Sequence, residues 1–247
     1  MLISIIVPCY NEAGNIGALI DRIRPLQEKY NLEYVLVENG SNKDNSKEYF
    51  KTNIENKFPQ IKVVYVEVNQ GYGYGLQQGM KAASGDYVGW IHADLQIPPE
   101  ELIQFFDEIE KHSTNENEKG KKNEKLFLKG TRTNRRAYDT FFTHGQSLFN
   151  SMLFGRIMYD VGAIPVIFSK SLLDEVPIDS MPNDFGIETF IYLEALRHHF
   201  KTIRFKVRVQ NRKKGDSSWD HGIKSKIKQS IRIFNDSIKI RKGEKVL

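Results

Sequence analysis

The first hundred residues alternate between two hydrophobic periods, and that alternation restricts the chain more than any other feature. Short runs rich in β-branched and aromatic residues occur at 3–7, 34–37, 63–68 and 87–91, as strands do. Between them apolar residues recur at helical spacing. Ile16, Leu19, Ile20, Ile23 and Leu26 mark one face of the first such stretch, and "DNSKEYFKTNIENKF" is a weaker second. A third helix is predicted over 75–83 and a fourth from Pro99 to Lys111, where the prolines suit a first turn. Strand–helix–strand alternation at roughly thirty-residue spacing predicts an α/β fold with a mostly parallel central sheet and helices on both faces.

With 40% apolar and 11% aromatic residues, the chain can bury a substantial core. Its longest apolar runs are far too short to cross a bilayer. No basic segment precedes an apolar core at the N-terminus, so no signal peptide is expected. Cys9 is the only cysteine, which excludes an intrachain disulfide and fits a reducing compartment. The expected location is cytoplasmic, with the inner face of the cell membrane as the variant. A net charge of +5 points to an anionic partner. Nucleic acid ranks last, because the basic residues are scattered and gather mostly late in the chain.

Beyond residue 110 the pattern loosens. "KHSTNENEKGKKNEK" (111–125) has no apolar periodicity and is predicted to be a surface loop. A strand at "LFLKG", a helix over 138–158, a strand near 163–168 and a helix near 185–199 follow. A strand over 202–210 and a last helix over 222–240 complete the chain, with no internal repeat.

The unusual residues fall where the strands end. "PCYNE" follows the first strand, "ENGS" the second, "NQGYGYG" the third and "HADLQ" the fourth. In a parallel sheet these loops share the carboxyl edge, where ligands bind at a switch in strand order. Ordinary turn chemistry is the competing explanation. The glycines do not form a dinucleotide fingerprint: from Gly71 and Gly73 the third glycine position is Leu76, and from Gly73 and Gly75 it is Gln78. They still admit close backbone approach.

"IIVPCYNE", "VENGSNKDNS", "NQGYGYGLQQGMKAASGDYV" and "HADLQIPPEEL", in that order, resemble a family 2 glycosyltransferase with the GT-A fold, of the dolichol- or polyprenol-phosphate mannosyltransferase type. The resemblance is close over residues 2–110 and loose beyond. It implies a catalytic domain over residues 1–221, with a nucleotide-sugar half at 1–110 and an acceptor half at 125–221, followed by a basic amphipathic helix over 222–247.

By this resemblance Pro8, Tyr10 and Glu12 line a nucleoside pocket. Tyr10 offers a ring to the base, and Glu12 an acceptor to a ribose hydroxyl or base N–H. Glu38 and Asn39 stand where the family usually has two aspartates, and Gly71 and Gly73 belong to the nucleotide-sugar contacts. The last block, usually DADLQ, reads His92–Ala93–Asp94–Leu95–Gln96 here. Asp94 keeps the place of the metal-binding carboxylate, and Gln96 can add a carbonyl oxygen. Mg²⁺ or Mn²⁺ needs only one or two carboxylates when phosphate oxygens complete its shell. A plain turn cap is the other reading of Asp94. His92 suits ribose or phosphate better than Mg²⁺, and would favour a softer metal such as Mn²⁺.

In the second half Arg132, in "KGTRTNRR", is a phosphate ligand by resemblance. Arg135 and Arg136 either add to it or form an exposed charge run, and Asp160 matches an Asp that follows the family's long helix. Asp184 and then Glu188, in "NDFGIETF", are the candidate catalytic bases; Asp184 reads equally as a helix cap, and an ionised lipid phosphate needs no base. "NRKKGDSSW" resembles a loop that closes over the donor, with Arg212 and Lys214 reaching the diphosphate and Gly215 as hinge. Trp219 and His221 lie just beyond, and His221 is a late candidate for the metal shell.

In the last helix Ile223, Ile227, Ile231, Phe234 and Ile238 share one face, with Lys224, Lys226, Lys228, Arg232 and Lys239 mainly off it. Docking on the core and contact with an anionic membrane both fit that pattern. The helix over 138–158, with Phe141, Phe142, Phe149, Leu153 and Phe154, offers a second apolar surface.

The function so implied is a metal-dependent, inverting transfer of sugar from a nucleoside-diphosphate sugar to a polyprenyl phosphate or a cell-surface glycan. A nucleotide-sugar-binding protein without catalysis is the alternative, suggested by His92 and Asn39 in place of acids. A sugar nucleotidyltransferase is weaker, because no glycine- and arginine-rich first loop is present to hold a triphosphate.

Overall fold

The computed structural model describes residues 1–119, 125–210, 212, 223–244 and 246. Seven strands form one sheet in the order β3-β2-β1-β4-β6-β5-β7. They are β1 (Ile3–Cys9), β2 (Leu32–Asn39), β3 (Ile61–Val66), β4 (Tyr87–Trp90), β5 (Leu126–Thr133), β6 (Val166–Ser169) and β7 (Lys201–Arg208). The helices are α1 (Ala13–Lys29), α2 (Ser46–Asn53), α3 (Tyr72–Ala82), α4 (Ile103–Lys119), α5 (Ala137–Phe154), α6 (Ser171–Glu175), α7 (Gly186–Arg197) and α8 (Ile223–Lys242). Single 3₁₀ turns stand at Pro99–Leu102 and Ile178–Ser180.

The strands β1 to β4 pair in parallel, and β6 runs antiparallel to both β4 and β5. β5 therefore points the same way as β4, and β7 pairs parallel with β5. Every strand but β6 ends at one edge of the sheet. The chain steps outward from β1 through β2 to β3, then returns to place β4 on the other side of β1. That reversal opens a crevice at the carboxyl ends of β1 and β4.

β2 is buried along its whole length and β4 likewise, as strands covered on both faces must be. α1 lays Ile16, Leu19, Ile20, Ile23 and Leu26 against the sheet, each side chain contributing about 1.5–3 kcal/mol of apolar burial. α8 rests on α5 and α7, with the Phe149 and Phe234 rings 4.7 Å apart.

One expectation fails. Residues 111–119 are the end of α4, not a loop. Glu108 pairs with Lys111 at 3.6 Å and with His112 at 3.3 Å, one turn on. Once the apolar part of a helix is seated, each further residue adds a backbone hydrogen bond without a new nucleation cost, so no apolar pattern is needed.

Candidate active site

The loops after β1 and β2 are sewn together by side chains. Asn11 turns the chain with φ 56°, and its Oδ1 accepts the backbone N–H groups of Asn42 (3.0 Å) and Lys43 (2.9 Å). Its own N–H donates to Ser41 Oγ at 2.9 Å, and the Tyr10 hydroxyl donates to Asn42 Oδ1 at 3.0 Å. Ser46 Oγ and Asp44 Oδ2 accept the N–H groups of Glu12 and Ala13, so α1 takes its first-turn acceptors from the neighbouring loop. Pro8 lies in β1 beside Val37. Glu38 is fully buried; its Oε1 accepts the Ser41 N–H at 2.7 Å, while Oε2 has no hydrogen-bond partner among the described residues. Asn39, also buried, donates to the Gly71 carbonyl at 3.1 Å.

The glycine loop makes room for the protein's own backbone. Gly71 sits at φ +118°, and a Cβ there would lie 2.3 Å from the Asn183 carbonyl oxygen. At Gly73 a Cβ would lie 2.3 Å from the Pro182 carbonyl oxygen. Tyr74 N–H donates to Asn183 O at 2.8 Å, and Gln77 Nε2 to the carbonyls of Met181 and Pro182 at 3.1 Å each. The 181–184 segment thus seats on the start of α3.

The fourth loop turns sharply at Leu95, φ 58°. Asp94 Oδ1 accepts the Gln96 N–H at 3.0 Å, the turn cap, and the Gln96 carbonyl accepts the Gln210 N–H at 2.7 Å beyond β7. Asp94 Oδ2 remains available to a cation, and Arg212 finds it: one guanidinium nitrogen lies 3.7 Å away while another binds Glu12. Burial pushes the Glu12 carboxyl up, opposed by Asn15 and Arg212, and Asp94 adds to the rise. Positive charge is drawn between these two acids. No group of three or more His, Cys, Asp or Glu side chains converges among the described residues. A single carboxylate fits an ion that takes its remaining ligands from phosphate and water.

His92 and Ala93 lie between β4 and Asp94. His92 Nε2 stands 3.1 Å from the Tyr72 hydroxyl, and Ala93 is buried. Tyr72 and Trp90 Nε1 each donate to Glu188 Oε1 at 3.0 Å. Lys129, wholly buried in β5, lies 3.8 Å from Glu188 Oε2 and donates to the Ala163 carbonyl at 2.7 Å. Burial lowers its pKa to about 8, against the pull of Glu188. Tyr72 and Lys129 escaped the sequence reading. The signal for Lys129 was a lone charge inside the strand-like "LFLKG".

In the acceptor half, Arg132 is held by Asp160. Its Nε lies 3.0 Å and a terminal nitrogen 2.5 Å from Oδ1, while its backbone N–H donates to Oδ2 at 2.9 Å. Burial disfavours the Asp160 carboxylate, yet the Arg132 charge and hydrogen bonds outweigh it and hold the carboxyl below its ordinary range. Arg135 donates to Thr143 Oγ1, and Arg136 lies against Tyr138. Asp184 accepts the Phe185 N–H at 2.9 Å and pairs with Arg232 of α8. Lys214, Gly215, Trp219 and His221 lie outside the described residues.

A helix-covered sheet with a strand-order reversal beside β1, and a buried acid, Asp94, in the loop after β4, define an α/β protein of the doubly wound kind. The chain belongs to glycosyl transferase family 2, whose profile matches residues 4–162. It is 28% identical over 228 residues to undecaprenyl-phosphate 4-deoxy-4-formamido-L-arabinose transferase of Proteus mirabilis, covering 88% of this chain and 62% of that protein. The namesake from Serratia proteamaculans is 29% identical over the same shares. The chain thus spans less than two thirds of the length of these relatives. Among solved structures, glucosyl-3-phosphoglycerate synthase of Mycobacterium tuberculosis, crystallised with Mn²⁺, UDP and glucosyl-3-phosphoglycerate, superposes with a TM-score of 0.67. That likeness covers 98% of this chain and 80% of that one at 17% identity, and it identifies the fold as GT-A.

Proposed function

We propose that this chain carries the catalytic part of an enzyme that moves a sugar from a nucleoside-diphosphate sugar to a polyprenyl phosphate. The observation that carries this reading is the convergence of the four loops around Asp94, with the Arg212 guanidinium drawn between Asp94 and Glu12. Such a place suits a diphosphate and the cation that accompanies it. The matched relatives are named for undecaprenyl phosphate, which favours the lipid acceptor over a cell-surface glycan.

Pro8, Tyr10, Glu12 and Glu38 then belong to the nucleoside pocket, with Glu38 buried beneath it and fixing the Ser41 turn. Asn39, Gly71 and Gly73 shape the floor of the pocket through their own contacts. Asp94, aided by the side-chain amide oxygen of Gln96, would hold Mg²⁺ or Mn²⁺, which supplies charge neutralisation for the departing diphosphate. Arg212 leaves its two acids and pairs with phosphate oxygens as the donor enters. Arg132, fixed by Asp160, lies at the end of β5 on the acceptor side.

The acceptor phosphate oxygen attacks the anomeric carbon, the bond from that carbon to the diphosphate oxygen breaks, and its electron pair leaves with the nucleoside diphosphate. The configuration inverts. No proton has to be removed from an ionised phosphate. Asp184, paired with Arg232, and Glu188, bound by Tyr72 and Trp90, are both engaged in ways that suit support better than proton abstraction.

A lipid acceptor needs a surface that meets the bilayer. On α8 the residues facing the core are Asp236, Ser237 and Ile240, while Ile227, Ile231 and Ile238 stay exposed. Phe141, Leu148, Met152 and Ile157 on and after α5 are 63–89% exposed. Lys228, Arg232 and Lys239 accompany this apolar surface, as contact with anionic lipid requires. No described helix is long and apolar enough to cross a membrane, so the contact is peripheral for this part of the chain.

The test is transfer of labelled sugar from UDP-, GDP- and CDP-sugars to undecaprenyl phosphate with Mn²⁺ or Mg²⁺. Lipid-linked label released as the sugar phosphate supports the reading. Nucleotide-sugar binding without turnover for any pair would replace it with the non-catalytic alternative.

A further inference from the structure

The strap of residues 181–184, between the 3₁₀ turn at Ile178–Ser180 and α7, is gripped from two sides. On one side lies the start of α3. Tyr74 N–H donates to Asn183 O at 2.8 Å, and Gln77 Nε2 reaches Asn183 Oδ1 besides the Met181 and Pro182 carbonyls, at 3.1 Å each. On the other side lie α8 and the residues after it. Arg232 pairs with Asp184, and the Asn183 N–H donates to the Val246 carbonyl at 3.3 Å. Asn183 therefore joins both sides through its own backbone.

Two features make this grip matter. The first N–H groups of a helix have no partner inside it, and Tyr74, third in α3, finds Asn183 O. A displaced strap would take that acceptor away. The second feature is charge. Arg232 stands between Asp184 of the strap and Asp236, one turn on in α8. Burial pushes the Asp236 carboxyl up, Arg232 and Lys239 oppose the rise, and Asp184 adds to it. Without the guanidinium, strap and helix would meet acid to acid, and attraction would become repulsion.

We propose that Arg232 is a positioning residue for the donor site: it draws Asp184 onto α8 and so seats the strap, which holds the first turn of α3 at the floor of the nucleotide pocket. This rests on the donor-site reading above. The helix read there as facing lipid thereby also acts on the donor side. The Arg232 side chain is 48% exposed and that of Asp184 15%, so their pair adds little to global stability while it fixes where the strap sits. Asp184 Oδ1 caps Phe185 and Oδ2 meets Arg232, so the two duties fall on different oxygens.

Hydrogen exchange and nucleotide titration test the assignment together. They compare wild type, Arg232→Met, Arg232→Lys, and Arg232→Met combined with Asp184→Asn. In Arg232→Met the Tyr74 amide should exchange about three- to fivefold faster while the β2 amides keep their rates. Whichever of UDP, GDP and CDP binds wild type best should bind this variant about three- to fivefold more weakly. Arg232→Lys should restore both readouts, because the charge is kept. The double variant should recover part of both losses, because an amide at position 184 no longer repels Asp236. Faster exchange across β2 as well would make Arg232 a support of the whole fold and overturn the assignment. Unchanged Tyr74 exchange in Arg232→Met would overturn it whatever the nucleotides do, and so would faster exchange with unaltered affinity. No nucleotide binding by wild type would sink the donor-site reading and this role with it, even where Tyr74 exchange responds.

Discussion

Two buried glutamates on β2 differ in how fully their oxygens are partnered. Glu33, near the amino end, is fully partnered: Ser4 Oγ donates at 2.5 Å, Ser84 N–H at 2.6 Å, and the Lys62 ammonium lies 2.8 Å away. Burial raises its carboxyl, but Lys62, Ser4 and Ser84 outweigh that and bring it down to about 2. Glu38, at the carboxyl end, is equally buried yet keeps one oxygen without a partner among the described residues. The sign of the Glu33 effect is fixed: its folded pKa is depressed from 4.5, so its stabilisation is complete above about 4.5 and is lost as pH falls towards 2. Glu33→Gln should cost about 1–2 kcal/mol at neutral pH, a figure kept low because Lys62 stands half in solvent. In urea titrations the gap between wild type and variant should close on acidification. A gap independent of pH would show that shape, not charge, makes the difference. The place of Asp94, just past a buried strand, was legible from sequence because a lone acid ends an apolar run. Glu38 was legible only as a member of a loop, since nothing local says which of its oxygens finds a partner.

At the scale of elements, the pair α5–α8 raises the sharpest question, because the apolar row of α8 does not face the core. Ile231 is 54% exposed and Met152 on α5 is 77% exposed, while Phe149 and Phe234 join the two helices. Both helices carry exposed apolar residues, and Lys228, Arg232 and Lys239 of α8 are exposed too, the surface proposed above for lipid. Wild-type protein should float with anionic liposomes, and a Met152→Glu, Ile157→Glu variant should remain at the bottom of the gradient with unchanged melting temperature. Equal flotation of both would remove this surface from the account. The helical period was readable in sequence, but which side of α8 faces the core was not, because that depends on a partner helix some eighty residues earlier. The same reason hid the purpose of Gly71 and Gly73. Their close approach is to Pro182 and Asn183, more than a hundred residues away. The polar end of α4 was missed for a different reason: its helix propagates from a seated first half and carries no apolar pattern of its own.

For the whole molecule, topology makes the site. Alternating periods predicted a parallel sheet and the shared edge of its loops, and the pairing of β1 with both β2 and β4 adds the reversal that opens the crevice. The antiparallel insertion of β6 between β4 and β5 had no local signature, yet it sets β5 and β7 pointing at the same edge and brings Arg132 and Gln210 there. The central claim is that this edge holds a donor diphosphate through a cation at Asp94. Asp94→Asn tests it without disturbing the loop, because an amide oxygen can still accept the Gln96 N–H while the charge is gone. The decisive measurement is calorimetric titration of UDP, GDP and CDP into wild type and Asp94→Asn, with and without Mn²⁺. The account predicts at least one nucleotide whose wild-type affinity rises about tenfold or more with Mn²⁺, a rise that vanishes in the variant. Equal Mn²⁺ dependence in both proteins, or no nucleotide binding in either, would contradict it.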